Sequence, residues 1–152
     1  MKKASIVFTL LFFLFLIGCS VKFSANPPAN LNMTTNEICV IKNQDTNDEF
    51  LPAYQLALEN KGFVVRVLDP EADIDTCPLT STYTGSWSWD FVMYMAAAEI
   101  IIYKNGIRVG DALYDAPKAG WAMTPRIYDS TEEKVCKMVD KLFPGMGSEV
   151  TK

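Results

Sequence analysis

Beyond Thr35 the chain alternates between continuous apolar runs, helical repeats and strict two-residue alternation. Ile38-Cys39-Val40-Ile41, inside Glu37–Lys42, is an unbroken apolar run and predicts a strand buried on both faces. Asn43–Asp48 is a polar break in which Asn47 or Asp48 can cap a following helix, and Pro52 falls in that helix's first turn, where a missing N–H costs little. Leu51, Tyr54 and Leu58 then mark one helical face, Gly62 stands at the expected C′ position, and Phe63–Leu68 is a second apolar strand. Strand, helix and strand in about thirty residues predict a parallel βαβ unit with a right-handed crossover.

The second half is richer in β signals. After an acidic loop, Asp69–Pro78, the residues Tyr83, Trp87, Trp89 and Phe91 alternate with Thr82, Thr84, Ser86, Ser88 and Asp90, with Gly85 as a bulge or close-packing point. Met93–Ala98 is compatible with a turn, a bulged strand or a short helix. Glu99–Tyr103 and Ile107–Tyr114 flank Asn105-Gly106, the preferred type I′ hairpin pair, and counting outward pairs Tyr103 with Arg108 and Ile102 with Val109. Pro117–Asp129 is irregular and carries Trp121. Ser130 and Glu133 form a capping box before Val135, Met138, Val139 and Leu142, and Phe143-Pro144-Gly145 ends that helix. The expected fold is α/β (α+β): one small domain with a mixed four- to five-stranded sheet and two helices on one face, in the order β-α-β-β-β-β-α.

The first residues carry a different signal. Met1-Lys2-Lys3 is a short positive start, followed by a fifteen-residue apolar stretch from Ala4 to Gly18. A spanning helix needs about twenty apolar residues, so this length suits the core of a signal peptide better than a permanent anchor. The stretch ends in Leu16-Ile17-Gly18-Cys19, which resembles the lipobox of bacterial lipoproteins. That resemblance implies cleavage before Cys19, a diacylglyceryl group on its sulfur and, for a serine such as Ser20 in a Gram-negative envelope, delivery to the outer membrane. Two or three acyl chains exceed what stable anchoring requires. The expected organisation is signal peptide 1–18, lipidated tether 19–35, globular domain 36–145 and frayed tail 146–152. Ser20–Thr35, rich in Asn, Ser and Pro, would span about 50 Å if extended. The order of elements after the tether resembles small envelope lipoproteins such as LptE and the N-terminal domains of TolB-like proteins, in topology only and with no shared motif.

Composition narrows the chemistry. Losing residues 1–18 removes Lys2 and Lys3 and leaves 12 basic against 18 acidic groups, a charge near −6. Without a basic patch, the phosphate term that dominates nucleic-acid affinity is missing. The chain has no histidine, which excludes Ser-His-Asp and Cys-His catalysis and the commonest metal ligand. No C-x-x-C, S-x-x-K, G-x-S-x-G or P-loop pattern occurs. With Cys19 lipidated, Cys39 and Cys77 are the expected disulfide and Cys136 a packed thiol, although spacing leaves a Cys77–Cys136 pair open.

Three groups of residues are candidate sites. Trp87, Trp89, Tyr94 and Trp121 would serve as an aromatic platform for a glycan, a lipid or a partner protein; the polar opposite side of the strand favours instead a core role for Trp87 and Trp89. Asp90, Glu99, Asp111 and Asp115 would suit paired-carboxylate hydrolysis if two met at the right separation, and are better read as surface acids. Asp69, Glu71, Asp73 and Asp75 alternate oxygen ligands but lack the EF-hand glycine and terminal glutamate. The expectation is a non-enzymatic, lipid-anchored envelope protein without cofactor or metal, facing the periplasm and acting by contact with another envelope protein. The alternative is a glycan- or lipid-binding module using its aromatic residues.

Overall fold

The computed structural model describes residues 22–28, 31, 36–116 and 129–146, with Asp90 described in its backbone alone. The expected signal peptide and Cys19, most of residues 29–35, Trp121 and the tail after Met146 lie outside the described residues.

Eight elements follow in order: β1 (Lys22–Asn26), β2 (Glu37–Ile41), α1 (Phe50–Asn60), β3 (Val64–Leu68), β4 (Leu79–Asp90), β5 (Val92–Lys104), β6 (Ile107–Asp115) and α2 (Thr131–Leu142). The strands make one mixed sheet in the order β1-β6-β5-β4-β2-β3. From β2 onward this is the predicted order, and β2-α1-β3 is the expected parallel unit, with Val40 opposite Val67. The sheet has six strands rather than four or five because Lys22–Asn26, read from sequence as tether, pairs antiparallel with β6. Phe23 and Ala25 of β1 turn inward, half-buried against the core, and the Phe23 ring lies 4.9 Å from Tyr114.

Each helix forms where its pattern places it. α2 opens on Ser130, whose Oγ accepts from the Glu133 N–H at 3.2 Å, and it buries Val135, Met138, Val139 and Leu142. The N-cap of α1 lies one residue after Asp48 and two after Asn47: it is Glu49, without a side-chain bond, and Asn47 Oδ1 instead accepts from Glu49 N at 3.0 Å. α1 then buries Phe50, Ala53, Tyr54, Ala57 and Leu58, and Gly62 follows its C-terminus at φ 87°. Both helices share one core with the inward side of the sheet, built from Ile38, Val40, Tyr83, Met95, Ile100, Ile102, Ala112 and Tyr114. The fully buried Tyr54 hydroxyl is matched by Ser81 Oγ at 2.6 Å, so α1 is tied to β4 by a satisfied polar pair.

One reading left open is decided and one local expectation changes. Met93–Ala98 is strand, the first part of β5, paired with β4 around a turn at Phe91. In the β5–β6 hairpin Tyr103 does face Arg108, but Ile102 pairs with Gly110 instead of Val109, because the register shifts between Ile102 and Tyr103. Gly85 is a close-packing point: a Cβ there would lie 2.8 Å from the Trp87 ring.

Candidate functional site

The Cys39–Cys77 disulfide is present. It ties β2 to the loop before β4, on the sheet face opposite the helices. Arg66 stands beside it, 3.3 Å from Cys77 Sγ and 3.4 Å from Glu37. Glu37, Cys39 and Cys77 are the one Cys/Asp/Glu group among the described residues close enough to share a metal ion. The disulfide consumes both thiols and Arg66 neutralises the carboxylate, so the donor set of a soft metal is not offered. Cys136 is a free thiol, half-buried in α2; burial raises its pKa and keeps it protonated.

The carboxylates of the open sheet face are likewise engaged. Arg108 lies 3.3 Å from Glu99 and 3.2 Å from Asp111, and Asp111 also accepts from Asn26 Nδ2 at 3.0 Å. One guanidinium therefore holds both carboxylates in ion pairs. Asp115 sits further along β6, opposite Lys22 and Ala97.

The aromatic residues divide by depth. Tyr83 is buried, its ring stacked 4.8 Å from Phe50. Trp87 is half-buried and meets Phe50 edge-on at 6.4 Å. Trp89 is 67% exposed and Phe91 80% exposed, with rings 6.1 Å apart. The core role expected for both tryptophans therefore holds partly for Trp87 and fails for Trp89. The reason is reach: β4 and β5 run on past the helical layer, so alternate side chains at the tip lie beyond the helices among the described residues. Phe91 turns the hairpin at φ 59°, a left-handed value costly for a bulky residue, and Val92 and Met93 extend the exposed apolar tip.

Strand register relates this tip to the start of the chain. Lys22 lies opposite Asp115, Asp115 opposite Ala97, and Ala97 opposite Ser86. From that row β4 and β5 continue toward Phe91, and β1, traced back to its first residue Lys22, runs in the same direction. Five residues, about 17 Å of strand, separate Ser86 from Phe91, and the three residues from Lys22 back to Cys19 reach about 10 Å. Sequence alone could not supply this relation, because it depends on pairing β1 with β6.

Two concavities adjoin the base of the hairpin. One, about 200 Å³, is lined by Trp87, Tyr94, Met95, Glu49 and Asp129 among others. The second, about 580 Å³, lies between the starts of α1 and α2 and is lined by Asp48, Glu49, Pro52, Ala53, Leu56, Ser130, Thr131 and Glu132. Of the predicted platform, Trp87 and Tyr94 come together, Trp89 stands apart on the tip, and Trp121 is outside the described residues.

No family model matches the chain, and no curated protein matches it. Its fold is similar to that of PelC dodecamers from Paraburkholderia phytofirmans. A single-substitution variant superposes with a TM-score of 0.59 at 14% identity, covering 82% of this chain and 98% of that one. A second crystal form gives 0.56 at 11% identity, covering 81% and 94%. At these identities the likeness is one of fold.

Proposed function

We propose that this chain is a non-enzymatic, lipid-anchored envelope lipoprotein, held on the periplasmic side of an outer membrane by Cys19 and assisting a larger envelope assembly by protein contact. The observation that carries the reading is that the Lys22 end of β1 and the apolar tip of the β4–β5 hairpin point the same way. An acylated Cys19 in the bilayer would bring Trp89, Phe91, Val92 and Met93 to the same surface. Amphipathic and aromatic side chains partition into such interfaces, which accounts for an apolar cluster left uncovered by the fold. The tip adds a second attachment and fixes how the domain stands on the membrane.

Protein contact is supported by what the site lacks and by what the fold does elsewhere. The described carboxylates of the open face are clamped by Arg108 or spread along the strand. Both PelC structures named above are dodecamers, so this architecture is compatible with assembly through its surfaces. A second reading, binding of a glycan or lipid, is favoured by one feature: Trp87 and Tyr94 line the same small concavity.

The test uses the full lipoprotein in vesicles whose acyl chains carry bromine, a short-range quencher of tryptophan emission. The reading predicts strong quenching that is largely lost in Trp89→Phe and retained in Trp87→Phe. Equal quenching in wild type and Trp89→Phe would remove the hairpin from the membrane and with it the support for this orientation. A saturable change in Trp87 emission on adding peptidoglycan fragments or lipopolysaccharide would favour the second reading.

A further inference from the structure

The larger concavity has a floor and a rim of different chemistry. Pro52, Ala53 and Leu56 of α1 form an apolar floor, and Leu56 remains 43% exposed. Asp48, Glu49 and Glu132 form the rim, and among the described residues no lysine or arginine lines the trough. Its volume, about 580 Å³, is within the range of about 300–1,000 Å³ typical of ligand-holding clefts. Glu49 Oε2 accepts from Thr131 Oγ1 at 3.3 Å across the trough, linking the two helix starts into one wall. The starts of α1 and α2 each contribute about half a positive charge. Three carboxylates outweigh that, so the described lining is negative on balance and disfavours phosphate or anionic headgroups. Asp129, next to the adjoining concavity, is already matched by Lys137 at 2.8 Å. Among the described residues the floor has no aromatic ring to stack on a sugar.

We infer that this trough is the docking site for a short segment of a partner protein in which apolar side chains stand beside a lysine or arginine. The inference rests on the protein-contact reading above and adds where contact occurs and with what chemistry. Apolar side chains cover Leu56 and Pro52, and the neighbouring cation meets Asp48 and Glu132. The trough shares Glu49, Ser130 and Thr131 with the concavity at the hairpin base, so a segment seated there lies close to the hairpin.

The experiment places a photocrosslinking amino acid at Leu56 in the full lipoprotein, in cells that make it, with Ile107 and Phe91 as comparison positions. Ile107 is 69% exposed beside the Asn105-Gly106 turn, at the other end of the sheet from Phe91. The expected result is a Leu56 adduct whose mapped peptide carries apolar residues beside Lys or Arg. Its yield should fall about tenfold in Asp48→Lys/Glu132→Lys and much less in Asp48→Asn/Glu132→Gln, and it should weaken as salt rises. Circular dichroism of each variant separates lost docking from lost folding. A protein adduct at Phe91 or Ile107 with none at Leu56 would overturn the trough while leaving protein contact standing. Absence of protein adducts at all three would overturn both, and a Leu56 adduct to an acidic peptide, a glycan or a second copy of this chain would overturn the partner chemistry.

Discussion

Replacing Cys39 and Cys77 together by alanine removes the covalent link between β2 and the loop before β4, two positions 38 residues apart. The main effect falls on the unfolded chain, which gains the conformations that a closed loop of that length forbids. In the chain-entropy treatment this is about 4 kcal/mol at 25 °C. A small void adds to it, because both sulfurs are buried, at 0% and 5% exposure. For a domain of this size 1 kcal/mol corresponds to about 4 °C, so the melting temperature should fall by about 15 °C. The native loop should keep its place, since Asn105 N still donates to Pro78 O at 3.0 Å. The assay is thermal unfolding followed by far-UV circular dichroism, for wild type, reduced wild type and the double variant. Reduction and double substitution should give similar midpoints, and reductant should leave the double variant unchanged. A double variant melting within about 3 °C of oxidised wild type would refute the reasoning, since the loop term alone exceeds that.

Gly110→Ala tests whether β1 belongs to the domain: its Cβ would lie 2.8 Å from Pro28 Cδ and 2.9 Å from the Asn26 carbonyl oxygen. Overpacking there should cost about 1–3 kcal/mol and raise hydrogen exchange in β1 first; unchanged exchange would argue against the pairing. Lys134→Met addresses a buried amine, 1% exposed, that donates to the Met95 carbonyl at 3.3 Å and lies 5.3 Å from the centre of the Tyr114 ring. Desolvation lowers its pKa, while Asp129 and Glu133 raise it and Lys137 lowers it further. The folded protein therefore binds this proton more weakly than the unfolded chain, and the lysine's unfavourable contribution fades as pH rises from the lowered folded value toward 10.5. The stability of Lys134→Met relative to wild type should be highest near neutral pH and shrink through that alkaline window, measured by urea unfolding at several pH values. A pH-independent difference would contradict the burial argument.

Where a local rule carries its own physical cause, the chain could be read directly. The Ser130–Glu133 cap, the apolar repeat of α2 and the Asn105-Gly106 turn all lie where their residues place them. The disulfide was legible because only three cysteines remain after Cys19 and one lies in a helical repeat. β1 was missed because Lys-Phe-Ser-Ala-Asn offers just two inward positions, Phe23 and Ala25, in an Asn- and Pro-rich stretch. Its pairing comes from the exposed edge of β6, which is a tertiary fact. Trp89 and Phe91 show the converse: their alternation correctly marks a strand, but alternation cannot say where the covering helices stop. The Ile102 mispairing arose because the extra residue of a bulge leaves no mark on the apolar pattern. One concavity arises where the two helix starts meet and the other where they meet the hairpin base, so neither could be foreseen from spacing.

The most direct test of the central claim is metabolic labelling with palmitate, followed by membrane fractionation, of wild type and Cys19→Ala. The account predicts a labelled, membrane-bound wild type. Cys19→Ala should be unlabelled and released by a salt wash, because a few apolar residues at a hairpin tip hold a bilayer weakly and reversibly. Its circular dichroism spectrum should show the same folded domain. Palmitate on Cys19→Ala, or a variant that stays with the membrane through the wash, would contradict lipid anchoring at Cys19.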